Sequence, residues 1–162
     1  MTLAEHIQAV QARIAAAAEK AGRDPSEVTL VAATKVQTSE TIRAAIAAGI
    51  TVCGENRAQE FTQHWQDGAY KGAKVHFIGH LQKNKLKYLV GKVDMIESVD
   101  SEELIRLIDK RAQNLGIVQD ILIEVNIGGE ASKSGVKPEE AEALVQRAAA
   151  LFGGLDVLVN NA

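Results

Sequence analysis

The stretch "TLVAATKVQT", residues 29–38, runs apolar through Leu30, Val31, Ala32 and Ala33 without alternation and then delivers Lys35. An unbroken apolar run of this length reads as a strand covered on both faces, so its last residue arrives at the mouth of a packed core. Partial desolvation there lowers an amine's pKa, and an amine that loses its proton can attack a carbonyl and form a Schiff base. The plainer reading is a solvated or ion-paired lysine, the usual state of that residue.

Further polar groups follow the other predicted strands: Glu55, Asn56 and Arg57; then His80, with Gln82 and Asn84; then Asn126, Gly128 and Gly129, leading into a loop with Lys133 and Ser134. Such loops are polar in most proteins and often cap helices, so their gathering on one rim carries more weight than any single residue. "GGEASKSG" lacks the glycine that a P-loop places directly before its lysine, here Lys133, and retains only the character of a small anion nest. Lys83, Lys85, Lys87 and Lys92 read as the solvated face of one helix. No Cys/His cluster accompanies His76 and His80, so zinc is not expected. Phe61 and Trp65, four residues apart, read as core.

The elements that must position these groups alternate. Leu3, Ile7, Val10, Ile14 and Ala17 recur at helical spacing and predict a first helix ending near Gly22 and Pro25. Strands are then predicted at 28–34, 51–54, 74–79, 94–99, 120–127 and 155–160. Helices are predicted between them at 39–49, through "ENRAQEFTQHW", at 82–91, after an Asp100/Glu103 capping pair, and from Pro138. This alternation means βαβ units and a parallel sheet, either an open doubly wound sheet or part of a (β/α)8 barrel. Both bind ligands at the carboxyl ends of their strands.

The bulk properties narrow the class. A chain of 162 residues with 46% hydrophobic and 24% charged residues is expected to be one soluble globular domain, 1–162. The N-terminus, with Glu5 and His6 early, does not read as a signal peptide, and no stretch reaches the length of a membrane span. A single Cys53 makes a cytoplasmic location the default, and a net charge of −3 gives no electrostatic reason to expect nucleic acid.

"VAATKV", "CGENRAQEF", "VHFIGHLQKNK" and "VNIGGEASKSG", in this order and spacing, resemble the pyridoxal-phosphate homeostasis proteins, relatives of the alanine racemase N-terminal barrel. The resemblance runs from the first helix to about residue 150 and implies a parallel (β/α) barrel holding pyridoxal 5′-phosphate as a Schiff base. Lys35 matches the family's Schiff-base lysine, and Asn56 the asparagine of its "GEN" motif. His76, Gly79 and Asn84 fall in its "HFIG…NK" signature, and Asn126, Lys133, Ser134 and Gly135 in its "N…SKSG" loop. Family members are regarded as carriers or regulators of the cofactor without an established turnover reaction, which implies cofactor-dependent apoenzymes as partners. The enzymatic alternative is an alanine-racemase-like activity on amino acids, but the second domain and the opposing tyrosine of such racemases are not found. A third reading is an inactive fragment.

Residues 151–162 depart from that pattern. "LDVLVNNA" resembles a strand of short-chain dehydrogenases, although no glycine-rich dinucleotide turn follows the first strand and the one Tyr-x-x-x-Lys spacing, Tyr70 to Lys74, precedes it. The family's phosphate-binding serine and glycine loops belong to the βα units beyond this point, so the expectation is an incomplete or chimeric barrel of about six of eight strands. Open strand edges then imply self-association or marginal stability, and a weakened hold on the phosphate.

Overall fold

The computed structural model describes residues 1–130 and 133–152, with no side-chain detail for 151 and 152. The chain divides into two compact units, the first Met1–His76 and the second beginning at Phe77.

In the first unit Thr2 opens helix α1 (Leu3–Lys20) with a reciprocal pair: its hydroxyl accepts the Glu5 N–H at 3.2 Å, and its own N–H donates to the Glu5 carboxylate at 2.7 Å. A short 3-10 turn, Pro25–Glu27, capped by Asp24, leads to β1 (Val31–Ala33). Helix α2 (Ser39–Ala47), β2 (Val52–Glu55) and α3 (Ala58–Gln66) follow. Strands β1 and β2 are parallel, pairing Val31 with Val52, Ala32 with Cys53 and Ala33 with Gly54. β3 (Lys74–Phe77) enters beside β2, where the Lys74 N–H meets the Thr51 carbonyl at 2.9 Å.

Two expectations fail here. β1 is shorter than 28–34 and is not covered on both faces: Val31 and Ala32 are half-buried and Ala33 is exposed, because β1 stands at the end of the strand order with a ladder partner on one side. Phe61 is fully buried and stacks on Tyr70 at 5.9 Å between ring centroids, but Trp65 is 43% exposed at the margin of that cluster.

In the second unit the helix expected over 82–91 is two short pieces, a 3-10 turn Lys83–Lys85 and α4 (Leu86–Leu89). Gly91 ends it: its φ of +83° suits glycine, and a Cβ there would lie 3.0 Å from Leu115 Cδ1. β4 (Met95–Val99) and α5 (Glu102–Leu115) come next. α5 buries Leu104, Ile105, Ile108 and Ala112 at helical spacing and ends on left-handed Gly116. Its N-cap is Ser101 with no side-chain bond, so the Asp100/Glu103 pair does not form; the Glu103 carboxylate is drawn to Lys83 instead.

β5 (Asp120–Ile123) runs parallel to β4 with an irregularity between Ile96 and Val99. It stops short of residue 127 because the chain turns back on itself: Val136 N–H donates to the Glu124 carbonyl at 2.8 Å, and Asn126 N–H to the Val136 carbonyl at 2.9 Å. Pro138 begins α6 (Pro138–Phe152), as its missing N–H favours. The strand expected at 155–160 lies outside the described residues. Among those described, no helix is long and apolar enough to cross a membrane.

Two measurements check this packing. Gly135 has φ +110°, and a Cβ on it would come within 2.7 Å of the Asn126 nitrogen, so Gly135→Ala should lower unfolding stability in urea by on the order of 1–3 kcal/mol. Gly129, at φ +63° with open space around it, should lose only about 1 kcal/mol on the same change. Burial, and then the Glu55 charge, push the Cys53 thiol up to about 11. At pH 8 roughly one such thiol in a thousand is ionised, so a disulfide reagent should label Cys53 only after unfolding, or as the pH climbs toward that value.

Candidate functional site

The carboxyl ends of β1 and β2 carry the first group of residues. Thr34 N–H donates to the Gly54 carbonyl at 2.9 Å, extending the ladder one step past β1. Because successive strand residues face opposite ways, the register Ala33 to Gly54 sets Thr34 and Glu55 on a first face; Lys35 and Asn56 lie just beyond, in a turn and a bend.

On the first face lies a buried polar cluster. Glu55 has no exposed surface, and its Oε1 accepts from Thr34 Oγ1 at 2.5 Å and from the Tyr70 hydroxyl at 2.7 Å. His64 Nδ1 stands 3.2 Å from the same oxygen and 3.2 Å from the Tyr70 hydroxyl. Burial, reinforced by the Glu55 contact, raises the Tyr70 phenol far above its usual range, so it remains a donor. Glu55 Oε2 is buried with no hydrogen-bond partner among the described residues.

Sequence reading placed Glu55 among rim loop residues. It is instead the last residue of β2, and its partners are scattered in sequence; the available signal was a charged residue in register with Thr34.

Lys35 occupies a tight turn closed by the Gln37 N–H on the Thr34 carbonyl at 3.1 Å. It is exposed, so the expected desolvation at a core mouth does not hold: the neighbouring end of β1 is open, and the amine stands in solvent. Val36 takes φ +57°, a left-handed conformation that costs a β-branched residue about 1–2 kcal/mol. Its N–H donates to Glu60 Oε2 at 3.2 Å, and Glu60 Oε1 pairs with Arg57 at 3.3 Å. Asn56 is half-buried, and its Oδ1 is buried with no hydrogen-bond partner among the described residues.

His76 lies half-buried in β3, and Asn84 is exposed in the middle of the 3-10 turn Lys83–Lys85. In the second unit Asn126, Lys133 and Ser134 come together in one loop. Asn126 Nδ2 donates to the Glu130 carbonyl at 3.0 Å and to the Lys133 carbonyl at 3.4 Å, and Ser134 Oγ donates to Glu124 Oε2 at 3.0 Å. Asn126 and Ser134 therefore spend these groups on building the loop, while Lys133 is exposed upon it. A cavity of about 290 Å³, lined by residues including Gln11, Ile14, Thr29 and Thr51, sits at the opposite, amino ends of β1 and β2.

Residues 6–159 match the family model described as "Alanine racemase, N-terminal domain". The chain is 44% identical over 146 residues to the pyridoxal phosphate homeostasis protein of Aquifex aeolicus, covering 90% of this chain and 64% of that protein. It is 36% identical over 153 residues to the protein of the same name from Escherichia coli K12, covering 92% and 65%. The chain thus spans a little under two thirds of these relatives' length.

Among solved structures, an unknown protein from Bifidobacterium adolescentis superposes with a TM-score of 0.86 at 40% identity, covering 96% of this chain and 68% of that one. PipY of Synechococcus elongatus with pyridoxal phosphate bound gives 0.78 at 26% identity, covering 99% and 73%. An alanine racemase of Clostridium difficile shares the fold, at 0.64 and 14% identity over 77% of this chain and 35% of that one. The five parallel strands with their intervening helices are an incomplete barrel of this α/β type rather than a doubly wound sheet. The chain belongs to the alanine racemase N-terminal domain family, and its similarity within that family is to proteins named for pyridoxal phosphate homeostasis.

Proposed function

We propose that this protein binds pyridoxal 5′-phosphate through Lys35 and serves the cell's handling of that cofactor, passing it to apoenzymes that need it. The observation that carries the reading is the placement of Lys35: an exposed amine on a strained, anchored turn just past the carboxyl end of β1, where the paired strand β2 runs parallel and is followed by Asn56. The names of its relatives and the cofactor bound in PipY support the same reading.

The residues at this edge fit the group. Asn56 Oδ1 is an orphaned buried polar atom, and such an atom is costly unless something completes it. When bound, the cofactor supplies an aldehyde carbon to which an amine can be joined with loss of water. Lys35, on its flexible four-carbon stem, presents that amine. Asn56 orients what is held. His76, Asn84, Asn126, Lys133 and Ser134 are proposed as further contacts on the strength of the family motifs alone.

Mixing the protein with pyridoxal phosphate should produce a visible absorption band, and borohydride should fix the added mass on the peptide that contains Lys35. Lys35→Ala should show neither; a band of unchanged size in that variant sinks the assignment. Asn56→Ala, which removes one hydrogen-bonding group worth about 1 kcal/mol, should weaken binding roughly fivefold in a titration of the same band.

A further inference from the structure

The turn that carries Lys35 is fastened on both sides of that residue. On the side of β1, Thr34 Oγ1 donates to Glu55 Oε1 at 2.5 Å. On the side of α2, Val36 N–H donates to Glu60 Oε2 at 3.2 Å. The two glutamates come from consecutive elements, Glu55 from the end of β2 and Glu60 from the first turn of α3. Each is held in its own right: Glu55 by Tyr70 and His64, Glu60 by Arg57.

We propose that Glu55 and Glu60 are positioning residues that clamp the turn from Thr34 to Gln37, and so hold Lys35 for capture of the aldehyde of a pyridoxal-type cofactor. This rests on the preceding reading of Lys35. Glu55 acts through the Thr34 hydroxyl and Glu60 through the Val36 backbone N–H. Val36 sits at φ +57° and is 81% exposed, so side-chain packing does little to hold a conformation that its β-branch disfavours. The hydrogen bond to Glu60, together with the Gln37 N–H on the Thr34 carbonyl, opposes relaxation of Val36 toward extended backbone. Such relaxation would open the turn and redirect Lys35.

The captured bond is simple to balance: the neutral Nζ adds to the aldehyde carbon, a C–N double bond forms, and the carbonyl oxygen leaves as water with no change of oxidation state. A reacting amine displaced by about 1 Å loses rate steeply. The clamp therefore acts on the rate of capture more than on the stability of the fold.

Two pairs of variants test this on the whole chain. Thr34→Val keeps the shape and deletes the donor, while Thr34→Ser restores it; Glu60→Ala deletes the acceptor, while Glu60→Gln keeps a carbonyl in its place. Capture of pyridoxal phosphate is quenched with borohydride at intervals and read by mass spectrometry of the Lys35 peptide. Thr34→Val and Glu60→Ala should slow capture on the order of tenfold, with Thr34→Ser and Glu60→Gln within about twofold of the unaltered protein. Hydrogen exchange at the Val36 amide should quicken in Glu60→Ala while the urea midpoint and exchange across β2 hold steady. Should Thr34→Val fail to fold, the Glu60 pair decides alone. Equal capture rates in the deleting variants and the unaltered protein overturn the clamp and leave Lys35 as the capturing residue. Restoring variants as slow as the deleting ones overturn it too, since the Thr34 methyl or the Glu60 charge, rather than the hydrogen bond, would then matter. No capture by the unaltered protein overturns the Lys35 reading and the clamp with it.

Discussion

A carboxylate with no exposed surface is costly to place in a protein interior, and the first unit is arranged around one. Glu55 gives up its water, a penalty of several kcal/mol for an ion left alone. The offset comes from Thr34 and Tyr70 donating to one oxygen, with His64 alongside. Those partners come from the end of β1, from α3 and from the segment after α3, so a single oxygen ties four pieces of chain together. Charge-assisted bonds of this kind are short and directional, which is why the strand ends have a defined geometry although β1 itself is short and open on one side.

That geometry is what supports the role proposed for the lysine. A solvated lysine on a loose loop samples many positions, and its freedom is lost again on binding. Here the backbone on either side is already fixed, one anchor reaching from β2 and the other from α3. The strain at Val36 is tolerated because the surrounding bonds over-determine it, the usual circumstance in which left-handed backbone persists at a working site.

Much of the fold was legible because its signals are local. Pro138 marked the start of α6 and Gly22 the stop after α1, while the alternation of apolar runs with amphipathic ones located the strands. The identity of Lys35 as the residue to watch came from its place after such a run, and the family motifs agreed.

What sequence did not reveal depends on neighbours. The openness of β1 follows from its place at the end of the strand order, which a run such as "LVAA" cannot disclose. The tight approach of Leu115 and Ile117 to Gly91, at the end of the helix expected over 82–91, likewise comes from far along the chain. The Asp100/Glu103 motif is correct as a pattern, yet Lys83 competes for the same carboxylate. Asn126 and Ser134 looked like ligand contacts, and the structure employs them first in closing their own loop.

The spacing of the Glu55 partners also bears on how the protein comes into being. Thr34, His64 and Tyr70 lie 21, 9 and 15 positions away in sequence, so the loop closures that assemble the cluster are short and entropically cheap. The frame around Lys35 draws only on residues before Lys71. During synthesis it can take shape while the later strands are still being made, and the rest of the barrel can then grow upon an edge that is already in place.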